Sequence, residues 1–510
     1  MLGKYLMGLL HYLYFKNLKM TKKRNIILAL FVYLSIAGCK KEDSYKEFRA
    51  LTVALSDQVG PEIPIPQELS NIQACYNDLC SSFGLESRQL VATDIYLKLY
   101  IQNDYQLGLL MKDTALYTAD YPFHRELESV GSYSDWGSTN DAACDTCLAP
   151  IYVCVSTTYS LPASIIRDTL ALIYFAENDP TLLNSLDEEG FKLFYDALES
   201  EAHSRVGLIY ADGSLKTSGA WWTPSGRLRY VDSENGQNVN LQNIHVVINK
   251  GLRTGHAYSN SLGQFTSNKD FKGKVRYKVV FENEDFIIKN TWNQKIRFKS
   301  PELNSPWDNI FTDSYEEYIC TIWRTTFHYY NKDIDGLGRP PGYIAGINKP
   351  MRIVAKNNSG PQGTFFPMSD GRRISIEANS TSITTTAVTF HELSHSAFWE
   401  LHPNKANYSN KPCYIVESLA RGVEWYLTNK YYSYSVPQGY MAQGGCYRGV
   451  AIDLVDGVGS SSDLVSGYSM KSIEQAALLS NSWNDWESNV VNGESNNTSW
   501  YVADLFSYWD

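Results

Sequence analysis

Histidine is scarce in this sequence, nine in 510 residues, and clustered positive charge is scarcer still. The formal net charge is −10, and no basic run follows Lys22-Lys23-Arg24 near the N-terminus. A nucleic-acid partner therefore lacks its electrostatic footprint. Internal repeats and low-complexity tracts are absent as well, which sets repeat architectures aside. The apolar run at 26–34 is too short to span a bilayer comfortably, and nothing else in the chain is long and apolar enough to do so. What is present is core-forming material: 44% of residues are hydrophobic, with 36 Tyr and 12 Trp. That composition predicts a folded protein, and its length predicts two to four domains.

From Met20 a short basic segment, the apolar run and then small residues precede Cys39. This is the three-part layout of a secretory signal. Residues 1–19 then read as an extension upstream of the true start at Met20. Ile36-Ala37-Gly38-Cys39 resembles the bacterial lipobox, in which cleavage before the cysteine leaves it as the lipid-bearing first residue. Lys40-Lys41-Glu42-Asp43 resembles the tag that sends some lipoproteins of the Bacteroidetes to the outer face of the outer membrane. The resemblance implies an exported protein that meets the membrane only through a lipid on Cys39. Eight further cysteines (75, 80, 144, 147, 154, 320, 413 and 446) are permitted disulfides there, with connectivity that spacing does not encode. Cys144 and Cys147 form a CxxC pair, but no second pair or nearby His completes a metal site, so a local disulfide or two thiols is expected.

Residues 39–84 read as a lipidated tether and a partly ordered segment. Across 85–215 an α+β module is expected: a strand near 94–101, a helix-like segment at 104–113, a second strand at 115–122, and helical spacing through 161–205 that includes Ile165, Leu170, Leu172, Phe191 and Phe194. Residues 216–295 change to alternating strands. Val275, Tyr277, Val279 and Phe281 interleave with Lys274, Arg276 and Lys278 as a half-buried strand should. With the strand at 244–251, this stretch resembles the small β-sandwich modules related to the carboxypeptidase regulatory domain, which implies a structural role.

The segment 300–510 carries the chemistry. Ser314 and Glu317 are spaced as a capping box, ahead of a helix to about Tyr330. Strands follow at 351–355 and 373–377, then helices at 381–401 and 415–426. Within the first of those two helices stands His391-Glu392-Leu393-Ser394-His395. Two His four apart lie one helical turn above each other, so both imidazoles reach one ion, and Glu392 points to where a water on that ion would sit. A zinc ion lowers the pKa of such a water toward neutrality, and the carboxylate then serves as general base. Uninvolved histidines on an ordinary helix are the bland alternative. Chance alone gives this pattern on the order of one per cent of the time in so His-poor a chain, which weighs against it.

Catalytic zinc takes three protein ligands, so a third is needed. Downstream, Glu417-Ser418-Leu419-Ala420 begins 22 residues after His395. Here the chain resembles the gluzincins, the thermolysin-like and aminopeptidase N-like zinc peptidases, whose third ligand is a Glu in a pattern such as E-G-x-A. That resemblance covers about 310–430. It implies zinc held by His391, His395 and Glu417, a zincin-like metallopeptidase domain in an α+β chain, peptide or protein substrates, and Glu424 as hydrogen-bond partner of a His ligand or as one side of an ion pair. The branch with a third His is excluded, since Leu401 occupies the sixth position after His395; His402 is the weaker alternative ligand. No His follows His402, so a tyrosine must stabilise the oxyanion, with Tyr431, Tyr432, Tyr440, Tyr447 and Tyr468 as candidates. The motif that binds a free substrate N-terminus is missing, which favours an endopeptidase. The strand at 373–377 falls where zincins place the cleft edge, although an ordinary sheet strand explains it equally well. Competing readings are a surface glycan- or protein-binding lipoprotein that keeps the fold, and a zinc hydrolase of glycoproteins or cell-wall peptides. An intact set of Glu392 and three ligands argues against the binder, which has no use for the base.

The anchor gives the first test. Cys39→Ala is expected to move the protein from the membrane pellet to the soluble fraction, because a single lipidated N-terminus supplies the only membrane affinity this reading allows. Continued pelleting of the variant would refute it.

Overall fold

The computed structural model describes residues 64–101, 106, 109–110, 151–208, 220–290, 295–342, 350–356, 359–365, 373–378, 381–437, 441–457 and 464–510. The signal-like segment, Cys39, the CxxC pair, the strand expected at 115–122 and Tyr440 lie outside the described residues. The fold is mixed α+β with several sheets. No helix among the described residues is long and apolar enough to cross a membrane.

The first described elements are helix α1 (Leu69–Leu79), strands β1 (Asp94–Tyr100), β2 (Ile151–Ser156) and β3 (Ile166–Ile173), and helices α2 (Pro180–Ser185) and α3 (Glu188–Arg205). The strands form an antiparallel sheet in the order β2-β1-β3. Helical spacing was expected through 165–172, and this is corrected: the segment is the edge strand β3. Leu170 and Leu172 share one face at period two and are exposed, so the apolar residues that suggested a helix serve no buried helical stripe. Helix α3 does form where expected, its N-terminus capped by the Asp187 side chain, which accepts from Gly190 N. It packs Phe194, Tyr195 and Leu198 against Ile72 and Tyr76 of α1.

Eleven strands follow: β4 (Trp221–Trp222), β5 (Ser225–Asp232), β6 (Gln237–Asn240), β7 (His245–Lys250), β8 (Arg253–Tyr258), β9 (Gln264–Thr266), β10 (Phe271–Lys272), β11 (Val275–Val280), β12 (Phe286–Lys289), β13 (Arg297–Leu303) and β14 (Trp307–Phe311). One sheet has the order β13-β11-β7-β8, another β14-β5-β6 with β9 also on β5. The segment 216–295 thus shares its sheets with 297–311. On β11 the expected alternation puts Val275, Tyr277 and Val279 in the core, but Lys278 is buried too and only Arg276 stays exposed.

The rest comprises α4 (Ser314–Asn331), β15 (Met351–Ala355), β16 (Ser359–Phe365), β17 (Arg373–Ala378), α5 (Ser382–Leu401), α6 (Lys405–Ser409), α7 (Cys413–Thr428), α8 (Val450–Asp453), α9 (Met470–Leu479), α10 (Trp483–Gly493) and α11 (Val502–Trp509). The capping box of α4 sits one residue earlier than expected: Asp313 caps, and Glu316 reaches back to its N–H. Asp at the cap leaves Glu317 to accept from Ser382, tying α4 to the start of α5. The sheet order decides between the two readings of the strand at 373–377. The order β12-β15-β17-β16 makes β17 an interior strand, with β12, β15 and β17 parallel and β16 antiparallel on the outside. The strand at 373–377 is therefore the ordinary sheet strand, and β16 is the edge.

One core runs from Leu228 on β5 to Phe506 on α11. Helix α4 joins its parts. Tyr318 donates to the carbonyls of Lys356 (3.0 Å) and Ile376 (2.7 Å), and Trp323 donates to Gln242 O at 3.0 Å. From the same helix Arg324 donates to Asp232 Oδ2 at the end of β5 (3.0 Å) and stacks over Tyr431, 4.7 Å from its ring centre. Tyr432 donates to the same Asp232 oxygen at 2.7 Å. Asp232 is fully buried, so its charge is tolerable only with these partners.

Removing that carboxylate leaves Arg324 largely buried without its counter-charge. Asp232→Ala is expected to lower unfolding free energy by about 3–5 kcal/mol, read from the midpoint and slope of a denaturant titration. A loss below about 1 kcal/mol would mean that the network is peripheral to stability.

Candidate metal centre

Helix α5 starts at Thr381, whose side chain accepts from Thr384 N at 3.1 Å, and stops at His402 ahead of Pro403. Its first two turns carry buried Ser382, Thr385, Thr386 and Thr389, small enough for close approach to α4. There Thr325 donates to Thr386 across the contact at 3.3 Å. Helix α7 packs on the other side with Ile415, Leu419, Ala420 and Val423 buried. These two helices bring together His391, His395 and Glu417, whose ligand atoms all lie within 4.8 Å of one another. This is the one such group of His, Cys, Asp or Glu among the described residues.

Its geometry is close to an equilateral triangle. His391 Nε2 is 3.2 Å from Glu417 Oε2, His395 Nε2 is 3.2 Å from the same oxygen, and the two Nε2 atoms are 3.2 Å apart. Three donors each about 2.0–2.1 Å from a tetrahedral ion would stand about 3.3 Å apart, so the site fits a first-row divalent ion. The far side of His391 supports this. Its Nδ1 lies 3.0 Å from Glu424 Oε2, and an ionised carboxylate only accepts, so the proton belongs on Nδ1 and the Nε2 lone pair faces the triangle. Three acceptors then converge on one point, an arrangement that a proton or a cation must relieve.

Electrostatics say the same. Burial opposes a charge on His391, and Glu417 and Glu424 override it, raising the imidazole pKa to about 9. Burial likewise opposes the charge on Glu417, and the two imidazoles hold its carboxyl far below the usual range. Glu424, fully buried, is also held low: His391 and Arg421 outweigh the desolvation, and Tyr434 donates to its other oxygen at 2.6 Å. Glu392, next to the triangle, goes the other way. Burial lifts its carboxyl above the usual range against the pull of the two imidazoles.

Glu417 and Glu424, two helical turns apart on α7, thus grip opposite nitrogens of one imidazole. His402 is not in the group; its Nδ1 lies 2.7 Å from Phe398 O. Of the candidate tyrosines, Tyr431 bonds His328, Tyr432 bonds Asp232, and Tyr468 is buried in the core. Of the four candidates described, Tyr447 is the one that borders the site, its ring centre 6.1 Å from that of His391 and beneath the Arg421 guanidinium. Burial, then the nearby Glu417, push its phenol up to about 12. A disulfide joins Cys413, the first residue of α7, to Cys446. Ser418 donates to Cys446 O at 3.2 Å and accepts from Arg448 N at 2.9 Å, so the residue after Glu417 pins the loop that carries Tyr447.

Sequence reasoning missed Tyr408, whose hydroxyl lies 3.4 Å from His395 Nδ1, and Phe365 of β16, which stacks on the His395 ring. Both lie where no periodic pattern points. Arg421 was missed as well, although its place three residues before Glu424, with which it pairs, was a readable signal.

No family model matches the chain, and no curated protein does. Among solved structures, (S)-allantoin synthase aligns with 24% of this chain and 51% of its own at 11% identity, with a TM-score of 0.14. A score that low carries no argument about fold or chemistry.

The two glutamates are separable by titration. Glu417→Ala is expected to abolish tight metal binding, whereas Glu424→Ala, which loses only the partner of His391 Nδ1, weakens it roughly 10- to 100-fold. Isothermal titration with Zn2+ of both variants checks this, and the reverse ranking would exchange their roles.

Proposed function

We propose that this chain is a zinc-dependent peptidase of the gluzincin type, cutting within peptides, and an exported lipoprotein of the bacterial envelope. The observation that carries the reading is the 3.2 Å triangle of two imidazoles and one carboxylate with Glu392 beside it. A zinc ion bound there would acidify a water toward neutrality and polarise a carbonyl. Glu392 would take the proton of that water and hand it to the departing amine, a role suited to a carboxyl lifted by burial. His391 is kept in the right tautomer by Glu424, and His395 is backed by Tyr408.

Support for a peptide substrate comes from β16. It is the outer strand of its sheet, antiparallel to β17, and its inner face lies along α5 at Glu392 and His395. An extended peptide adding to that edge through main-chain hydrogen bonds would pass the base. Tyr447, exposed and next to Glu417, is the donor for the carbonyl oxygen as it gains charge.

Glu392→Gln is expected to bind Zn2+ as the parent does while turnover of casein falls roughly 10²–10⁴-fold. Parent protein that neither cleaves casein nor responds to chelator would favour the binding-protein reading, and a fully active variant would remove Glu392 from the chemistry.

A further inference from the structure

Gly363 sits in the middle of the edge strand β16, opposite Ile376 of β17. Glycine weakens a strand interior, and it is usually tolerated for a left-handed backbone or for space. Backbone is not the reason here: Gly363 is not among the glycines with positive φ. Space is. A Cβ on Gly363 would lie 2.5 Å from both Cγ and Oε1 of Glu392 and 2.7 Å from its Cδ. Non-bonded carbons rest about 3.5–4.0 Å apart, so the overlap is about 1 Å. It involves Cγ as well as the carboxylate, hence rotating the tip alone cannot clear it. Glu392 is itself buried, which leaves it little room to withdraw. Two residues on, Phe365 occupies the same strand face and covers His395, so this face of β16 is the roof of the site.

We propose that Gly363 is a positioning residue: its missing side chain is the recess in which the Glu392 carboxylate is seated beside the metal triangle. The three nearest atoms to the added Cβ all belong to Glu392, so the clash falls first on that side chain and His391, His395 and Glu417 are expected to keep their places when the recess is filled. On this proposal Gly363 acts on the position of Glu392 and leaves metal binding intact. The catalytic half of this inference rests on Glu392 being the general base; the steric half does not.

The test is a double-variant cycle on the full chain loaded with Zn2+. Gly363→Ala is expected to cut kcat for a casein-derived peptide roughly 10²-fold, the usual cost of about 1 Å of misplacement. Zn2+ affinity and KM should keep the parent values. Thermal midpoints supply a readout that needs no activity. Gly363→Ala lowers the midpoint in the parent, and the same change leaves it unmoved in Glu392→Ala, where the obstructing side chain is gone. If the parent hydrolyses nothing, the peptidase reading fails and the midpoints alone still decide the recess. An equal fall of the midpoint in both backgrounds overturns the proposal. So does unchanged kcat in an active parent, or loss of Zn2+ together with activity.

Discussion

The imidazole of His391 is the point on which the site turns, because two carboxylates of one helix hold it from both sides. Glu417 faces one ring nitrogen and Glu424 the other, and the spacing of seven residues between them is what allows α7 to span the ring. Everything else nearby answers a cost this creates. Glu424 is a fully buried charge, so Arg421 and Tyr434 must accompany it. Glu417 brings negative charge against lone pairs, so a cation or proton must join it. Ala420, buried between Glu417 and Glu424 on the same face of α7, is small enough to let α7 approach α5 closely.

Behind that contact α4 acts as a scaffold with no part in the chemistry. Its Arg324 and His328 meet Tyr432 and Tyr431, and the His328 ring stands against Phe390, the residue before His391. Trp323 and Tyr318 on the same helix reach the loop after β6 and the ends of the sheet carrying β16. The strands before the helix and the helices after it thus share one core, with α4 and the pairing of β12 with β15 both joining them.

The pieces legible in the sequence were those with a local rule. Helices around 314–331 and 382–401 announce themselves by caps and 3.6-residue periodicity, that at 413–428 by periodicity after Pro412, and a His pair four apart announces its own geometry. A cap decided by competition was missed by one residue, because Asp313 and Ser314 are both good caps and sequence alone does not say which carboxylate turns back. Strand β16, SGPQGTF, was invisible: two glycines and a proline look like a turn, and its strand character comes from pairing with β17. The apolar positions of β3 misled for the converse reason. Tyr447 could not be picked out from four other tyrosines since its place depends on a cysteine pairing 33 residues long. Spacing along the chain carries no trace of such non-local contacts.

That cysteine pair has a mechanical consequence. It ties the loop of Tyr447 to the first residue of α7, while Glu392, His391 and His395 belong to α5 and lie under the roof of β16. The site is thereby divided along one seam, with Glu392 and both imidazoles on the α5 side, Glu417 and the Tyr447 phenol on the α7 side. An ion bridging the imidazoles to Glu417 is a rivet through that seam. The seam is also closed without the ion, by the core that α5 and α7 share and by Glu424 on His391 Nδ1, so withdrawing the ion would leave these five positions close to where they stand and refilling the site would ask for little rebuilding.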